Sequence, residues 1–253
     1  MKRRLLVGLA IAVALFLSIQ QPASATPVGL ELTLMLDVSG SIDSAEFNLQ
    51  KSGYVQAFNS AAVQNAINLN PTQSIAVNMI MWSGTDQRLQ VIPWTLVTAA
   101  NAGDFAIQIN AIDRPFSGNT AIQSALNFAA NNIQLDNGFE AARQVIDISG
   151  DGVRNEGLTG TSGRDAALTN GYDTINGLVV GGDANVISYY NNSVIGGTNA
   201  FLVSSVNFND FATTIANKLE REITNPIPEP VSMLLFGTGL VGVGGYIRRK
   251  LKN

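Results

Sequence analysis

The sequence predicts an α/β protein of Rossmann-like, doubly wound type: a mostly parallel sheet with helices on both faces and one antiparallel edge strand. Three observations carry this. Strand-like apolar runs alternate with segments of helical periodicity over most of the chain. Some of these runs, such as "GLELTLMLD" (29–37), are almost wholly apolar, as a strand covered on both faces requires. By contrast "RLQVIPW" (88–94) alternates and contains Pro93, which suits an edge.

The elements follow in order. The first strand ends at Asp37, and a helix begins soon after. Asp43 and Glu46 have capping-box spacing, and Ile42 with Phe47 fits a hydrophobic staple. Phe47, Tyr54, Phe58, Ala61 and Ala62 then recur at helical spacing. "SIAVNMIMWSG" (74–84) reads as a second buried strand, followed by the edge strand and a weaker helix over 100–112. After the loop "DRPFSGNT", a helix places Ile122, Leu126, Ala129 and Ile133 on one face. "RQVIDIS" (143–149) is the next strand, and a polar loop and a short helix near 164–169 follow it. "YDTINGLVV" and "AFLVSS" supply two more strands. The closing segment "FNDFATTIANKLEREI" is a helix burying Phe208, Phe211, Ile215, Leu219 and Ile223. No low-complexity run or clear repeat divides this body, so one domain over 26–225 is expected.

The two ends read as targeting segments. Residues 1–25 combine Lys2, Arg3 and Arg4 with an apolar run and the Ala23-Ser24-Ala25 exit of a secretory signal peptide, cut after Ala25. An uncleaved anchor is the alternative. Residues 226–253 hold Pro228-Glu229-Pro230, an apolar span over 231–247, and the basic cluster Arg248, Arg249, Lys250 and Lys252. The span is at the short end of the transmembrane range, with its basic flank cytoplasmic. This order resembles the PEP-CTERM sorting signal of Gram-negative bacteria. The resemblance implies transient inner-membrane anchoring, removal of the span by an exosortase-type protease, and delivery to the cell surface or extracellular matrix. A plain C-terminal anchor is the alternative.

Composition excludes several chemistries. The chain has no His and no Cys. That removes Ser-His-Asp triads, histidine- or cysteine-held zinc, imidazole acid–base catalysis and disulfides. Without its two ends the body carries about −10, a poor match for phosphate-rich partners, so no nucleic-acid binding is expected.

In doubly wound sheets, ligands sit beyond the carboxyl ends of the strands. Three loops are expected at that edge. The first supplies Asp37, Ser39 and Ser41 from "DVSGS", the second Thr120 from "SGNTAI", and the third Asp151 from "ISGDG". Two carboxylates and three hydroxyls are hard oxygen donors, suited to a magnesium-type coordination sphere. Each loop also has a blander reading. Ser39 and Ser41 could satisfy turn backbone, Thr120 could be an N-cap, and Asp151-Gly152 is a common turn pair.

D-x-S-x-S after a first strand, a later G-x-T, and Asp-Gly after a fourth strand resemble the metal-ion-dependent adhesion site (MIDAS) of von Willebrand factor A (vWA) domains. "MWSG", "RPFSGNTAI", "RQVIDISGDG" and "YYNNSVIGGTNAF" are similar to a secreted bacterial branch of that superfamily without a well-defined function. The resemblance implies that Asp37, Ser39, Ser41, Thr120 and Asp151 hold a divalent cation, with Mg2+ first and Mn2+ or Ca2+ as alternatives. One departure is Gly150, since a hydroxyl residue normally stands directly before Asp-Gly. It leaves Asp147 as a rival to Asp151, although a carboxylate inside a strand is costly unless paired.

The expected function is a non-enzymatic binding or adhesion module. A cation held mostly by neutral oxygens stays electrophilic and can take an acidic group of a protein or polysaccharide partner. A structural component of an extracellular matrix or biofilm is the alternative, with a metal-dependent hydrolase of the haloacid dehalogenase type behind it. The last would need a second aspartate where Ser39 stands.

Overall fold

The computed structural model describes residues 25–133 and 137–224, apart from the side chains of 132 and 133. The signal segment up to Ser24, the Pro228-Glu229-Pro230 triplet, the 231–247 span and the side chain of Ile133 lie outside the described residues. Among those described, no helix is long and apolar enough to cross a membrane.

A seven-stranded sheet organises the chain. Its central strand, β2 (Glu31–Asp37), pairs in parallel with β3 (Ser74–Trp82) on one side and β6 (Gln144–Gly150) on the other. β6 pairs in parallel with β7 (Thr174–Val180), and β7 with β9 (Leu202–Ser205). The antiparallel edge is β4 (Arg88–Thr98), extending past the predicted stretch. Pro93, which cannot donate a ladder hydrogen bond, falls where the β3–β4 register shifts, between the pairs Val77–Thr95 and Met79–Ile92. A two-residue β8 (Gly196–Gly197) also pairs antiparallel with the start of β7. Every residue of β2, β3 and β7 is buried, which is why these strands read as continuous apolar runs. Outside this sheet, β1 (Thr26–Val28) and β5 (Phe139–Ala141) form a small parallel pair that the sequence did not suggest.

Helices cover both faces. On one side α1 (Ser44–Asn59), α2 (Ala61–Leu69), α3 (Ala102–Asn110) and α7 (Phe211–Thr224) pack over Leu32, Leu34 and Leu36. On the other, α4 (Ile122–Phe128), α5 (Ser162–Thr169) and α6 (Ala184–Tyr189) pack over Met35, Ile146 and Ile148. α4 and α6 each run on into a π-helical turn, over Ala129–Ile133 and Tyr190–Val194.

The predicted capping box is present. Asp43 Oδ1 accepts from the amides of Ala45 and Glu46, and the Asp43 amide donates to Glu46 Oε2. The staple pair Ile42 and Phe47 is buried. Ala61 and Ala62, expected on the buried face of the same helix, are instead exposed. The helix stops at Ser60, whose extended backbone and hydroxyl cap a second helix buried through Val63, Ala66 and Ile67. On α7 the predicted apolar face is buried as expected.

The chain leaves β2 toward β3 on one side and later fills the other side with β6. The strand order therefore reverses between β2 and β6, and the crevice beyond their carboxyl ends is the ligand position of such sheets.

Candidate metal site

Asp37 ends β2 at this crevice and is fully buried. Its Oδ1 accepts the Ser39 amide at 2.8 Å as the chain turns. Ser39 Oγ lies 3.2 Å from Ser41 Oγ, and Ser41 Oγ donates to Asp151 Oδ1 at 2.7 Å. Asp151 follows the last residue of β6, so this bond joins loops 110 residues apart. Thr120 is buried, and its Oγ1 faces the Asp151-Gly152 turn, 3.9 Å from where a Cβ on Gly152 would stand. The three loops expected at the sheet edge meet there. Ser41 spends its proton on Asp151 rather than on local backbone, and Thr120 is not the N-cap of α4, a position held by Ala121.

Asp147, the rival carboxylate, points away from this cluster. It sits within β6 under α1 and α7, with Oδ1 2.8 Å from Lys218 Nζ.

The loops are fixed by residues that carried no periodic signal. Arg114 donates to the carbonyl of Val38 through Nε and Nη2, at 3.3 and 2.9 Å, and through Nη2 to that of Ser39 at 2.8 Å. Gly40 N donates to Gly118 O at 2.7 Å, tying the first loop to the second. Ser83 Oγ accepts from Gly118 N and donates to Asn119 O. Asn155 brackets Thr120, its Oδ1 accepting Thr120 N at 2.8 Å and its amide donating to Thr120 O at 3.0 Å. The loop after Asp151 thus supports the site through Asn155.

Gly150 has a steric reason. A Cβ there would lie 2.5 Å from Tyr190 Oη and 2.8 Å from Asp37 Oδ2. Neither of these buried oxygens has a hydrogen-bond partner among the described residues. Burial is the main force that pushes the Asp37 carboxyl up to about 7. The nearby Asp151 adds to the rise, while hydrogen bonds from Ser39 and the charge of Arg114 oppose it. Burial also raises the Tyr190 hydroxyl well above its ordinary value, with Asp37 and Asp151 adding to the effect. The site is thus an oxygen-rich cluster at the sheet edge, partly buried, with Arg114 as its nearby positive charge. Among the described residues no group of three or more His, Cys, Asp or Glu is placed to hold a metal. A cation here would rest on hydroxyls as much as on carboxylates.

Comparison with known proteins bears on the fold and the family. One solved structure is proximal thread matrix protein 1 from the mussel byssus, described with a zinc-occupied MIDAS motif. It aligns at 14% identity and a TM-score of 0.61, over 79% of this chain and 49% of its own. The pilus adhesin SpaC from Lactobacillus rhamnosus GG aligns at 16% identity and 0.55, over 81% and 31%. A von Willebrand factor type A structure from Catenulispora acidiphila aligns at 12% and 0.53, over 78% and 43%. The chain spans about half or less of each of these proteins, and the likeness is one of fold. No curated protein matches the sequence. The PEP-CTERM protein-sorting motif matches residues 226–250, which implies exosortase-related processing. The family model described as "Protein of unknown function (DUF1194)" matches residues 27–227, so the chain, with its vWA-type fold, belongs to the DUF1194 family.

Proposed function

We propose that this is an exported, non-enzymatic binding module. Asp37, Ser39, Ser41, Thr120 and Asp151 hold a divalent cation, and the cation docks an acidic group of a protein or matrix polysaccharide. The observation that carries the reading is the oxygen cluster at the β2–β6 switch point. Hydrogen bonds from Asp37 through Ser39 and Ser41 to Asp151 join the first and third loops, the Gly40 amide ties the first to the second, and Asp37 Oδ2 is buried without a hydrogen-bond partner among the described residues. Such an oxygen is costly to bury, and a cation would satisfy it. The donors are hard and few of them are charged, so the residues fit magnesium, manganese or calcium. When bound, the cation supplies a Lewis-acidic docking point. The chain's own part is to position the donors, through Arg114, Ser83 and Asn155, and to keep water from Asp37.

Zinc in the MIDAS of the mussel matrix protein supports cation binding on this fold, and the pilus adhesin supports an adhesive use. The sorting motif supports export and surface delivery. On this proposal the domain is 26–225 and the signal peptide is cut after Ala25. The absence of His from the chain argues against hydrolytic alternatives that rely on imidazole.

The test is a cation titration of residues 26–225, wild type beside Asp37→Ala, followed by thermal unfolding. Magnesium or manganese should stabilise the wild type by mass action and leave the variant unmoved. Equal shifts in both would remove the metal assignment. Capture from surface extracts with magnesium or a chelator then tests docking. A partner retained equally with both would favour the matrix-scaffold reading instead.

A further inference from the structure

A second polar cluster lies in the core, away from the candidate metal site. Asp147 projects from β6, and Lys218 and Glu222 stand one turn apart on α7 above it. All three side chains are fully buried. Lys218 Nζ is 2.8 Å from Asp147 Oδ1 and 2.5 Å from Glu222 Oε1. Asn176 Nδ2 also donates to Glu222 Oε1 at 2.9 Å, and Asn176 Oδ1 is itself fixed by the Phe201 amide at 3.0 Å. The Phe201 ring closes one side, its centroid 5.7 Å from Nζ. Neither Asp147 oxygen has a hydrogen-bond partner among the described residues, so the Lys218 contact is close without hydrogen-bond alignment.

As three ions the cluster would bury a net negative charge, with one lysine facing two carboxylates. Burial, and then the charge of Asp147, push the Glu222 carboxyl up to about 8, so Glu222 holds a proton at neutral pH. That leaves a Lys218–Asp147 ion pair in an apolar surround, with both Asp147 oxygens unsupported. A proton passed from Lys218 Nζ to Asp147 across their 2.8 Å contact, as the first step of the chemistry proposed next, leaves an amine against a carboxyl group.

We propose that Lys218 Nζ and Asp147 Cγ condense into an intramolecular amide that staples β6 to α7, with Glu222 as the proton carrier. The nitrogen lone pair forms the C–N bond at Asp147 Cγ. Glu222 gives its proton to the departing hydroxyl and takes one from the nitrogen, ending as it began. The Asp147 C–O bond breaks, and one water leaves. No oxidant, metal or second substrate is required. The product removes both charges from the core and gives a cysteine-free exported chain a covalent link that no disulfide could supply.

The experiment is mass spectrometry of the protein expressed from its full sequence, held at neutral pH until its mass is constant and then denatured. The expected mass is one water below that of the processed chain. Fragmentation should find the peptide holding Asp147 joined to the one holding Lys218. Glu222→Gln should fold with its Lys218 and Asp147 peptides unlinked, and Lys218→Met should give the full mass. A wild-type mass with no water lost would overturn the proposal without reference to any variant. A water loss that maps to a succinimide at Asp151-Gly152 would overturn it equally.

Discussion

The unpaired Asp37 oxygen predicts that the metal-free protein is strained by its own site. Asp37→Asn should therefore stabilise it. The Asp37 carboxyl moves from 3.8 to about 7 on folding, chiefly through burial. A folded-state value above the unfolded one means that folding favours the protonated form. Stability is then complete below the unfolded value and is lost as pH rises toward the folded one. Between about pH 5 and about pH 8 roughly two units of that shift are traversed, worth about 3 kcal/mol at 1.36 kcal/mol per unit. Asn keeps an Oδ1 to accept the Ser39 amide and carries no charge. In chelator, urea unfolding of both proteins across this range should show the variant's advantage growing by about 3 kcal/mol toward alkaline pH. Glu222 titrates in both proteins and cancels in the comparison. Excess magnesium should reverse the order, because only wild type gains from the cation. A pH-independent difference, or a variant less stable than wild type in chelator at the alkaline end, would refute the reasoning.

Two further outcomes follow from the loops. Gly150→Ala should cost about 1–3 kcal/mol by overpacking, because its Cβ meets Tyr190 Oη and Asp37 Oδ2. Adding Tyr190→Phe should recover part of that loss in the same denaturant assay. Asn155→Ala should cost about 1 kcal/mol in unfolding by leaving the Thr120 amide unpaired, and should weaken cation binding by a similar amount, roughly fivefold in Kd, by freeing the Thr120 loop. Titration calorimetry reads that change, and unaltered affinity would mean that Thr120 is held by other contacts.

Local chemistry was the part of the fold most legible in the sequence. The capping box at Asp43 and Glu46 involves four consecutive residues, and the apolar runs of β2, β3 and β7 record burial on both faces. The break at Ser60 was written in the sequence as a serine at an N-cap, but helical spacing continued across it through Ala61 and Ala62. Pairings of short distant segments, such as β1 with β5, leave no periodicity to read. At the site, the ligand-type residues were visible because hydroxyls and carboxylates interrupt apolar runs. Their supports were not, because Arg114 reaches Val38 across 76 positions and Asn155 reaches Thr120 across 35. Lys218 and Glu222 lie on the buried face of α7 with Phe211 and Ile215, where apolar periodicity alone gives no reason to expect charge. The signal that could have found them was Asp147, a carboxylate within an apolar strand, which requires a buried partner.

Gly150 shows how the two clusters share one strand. β6 runs one residue past Ser149, pairing Gly150 with Val179, so Asp151 stands just outside the sheet, where Ser41 can reach it. Alternation along β6 then sends Asp147 and Ser149 toward α1 and α7, where Ser149 Oγ lies 3.5 Å from Gln50 Nε2. Gly150 faces the opposite way, and the volume its side chain would fill is taken by Tyr190 Oη and the Asp37 carboxylate. A hydroxyl residue at 150 could not coexist with that packing. The departure from the usual pattern is therefore tied to Tyr190, which floors the site from the π-helical turn after α6. With Tyr190 in place Asp37 is kept dry, its second oxygen unsatisfied and its carboxyl near neutrality. The burial that leaves Asp37 Oδ2 without a hydrogen-bond partner would make a cation there strongly stabilising, so Tyr190→Phe should leave cation binding intact while substitutions of Asp37 abolish it.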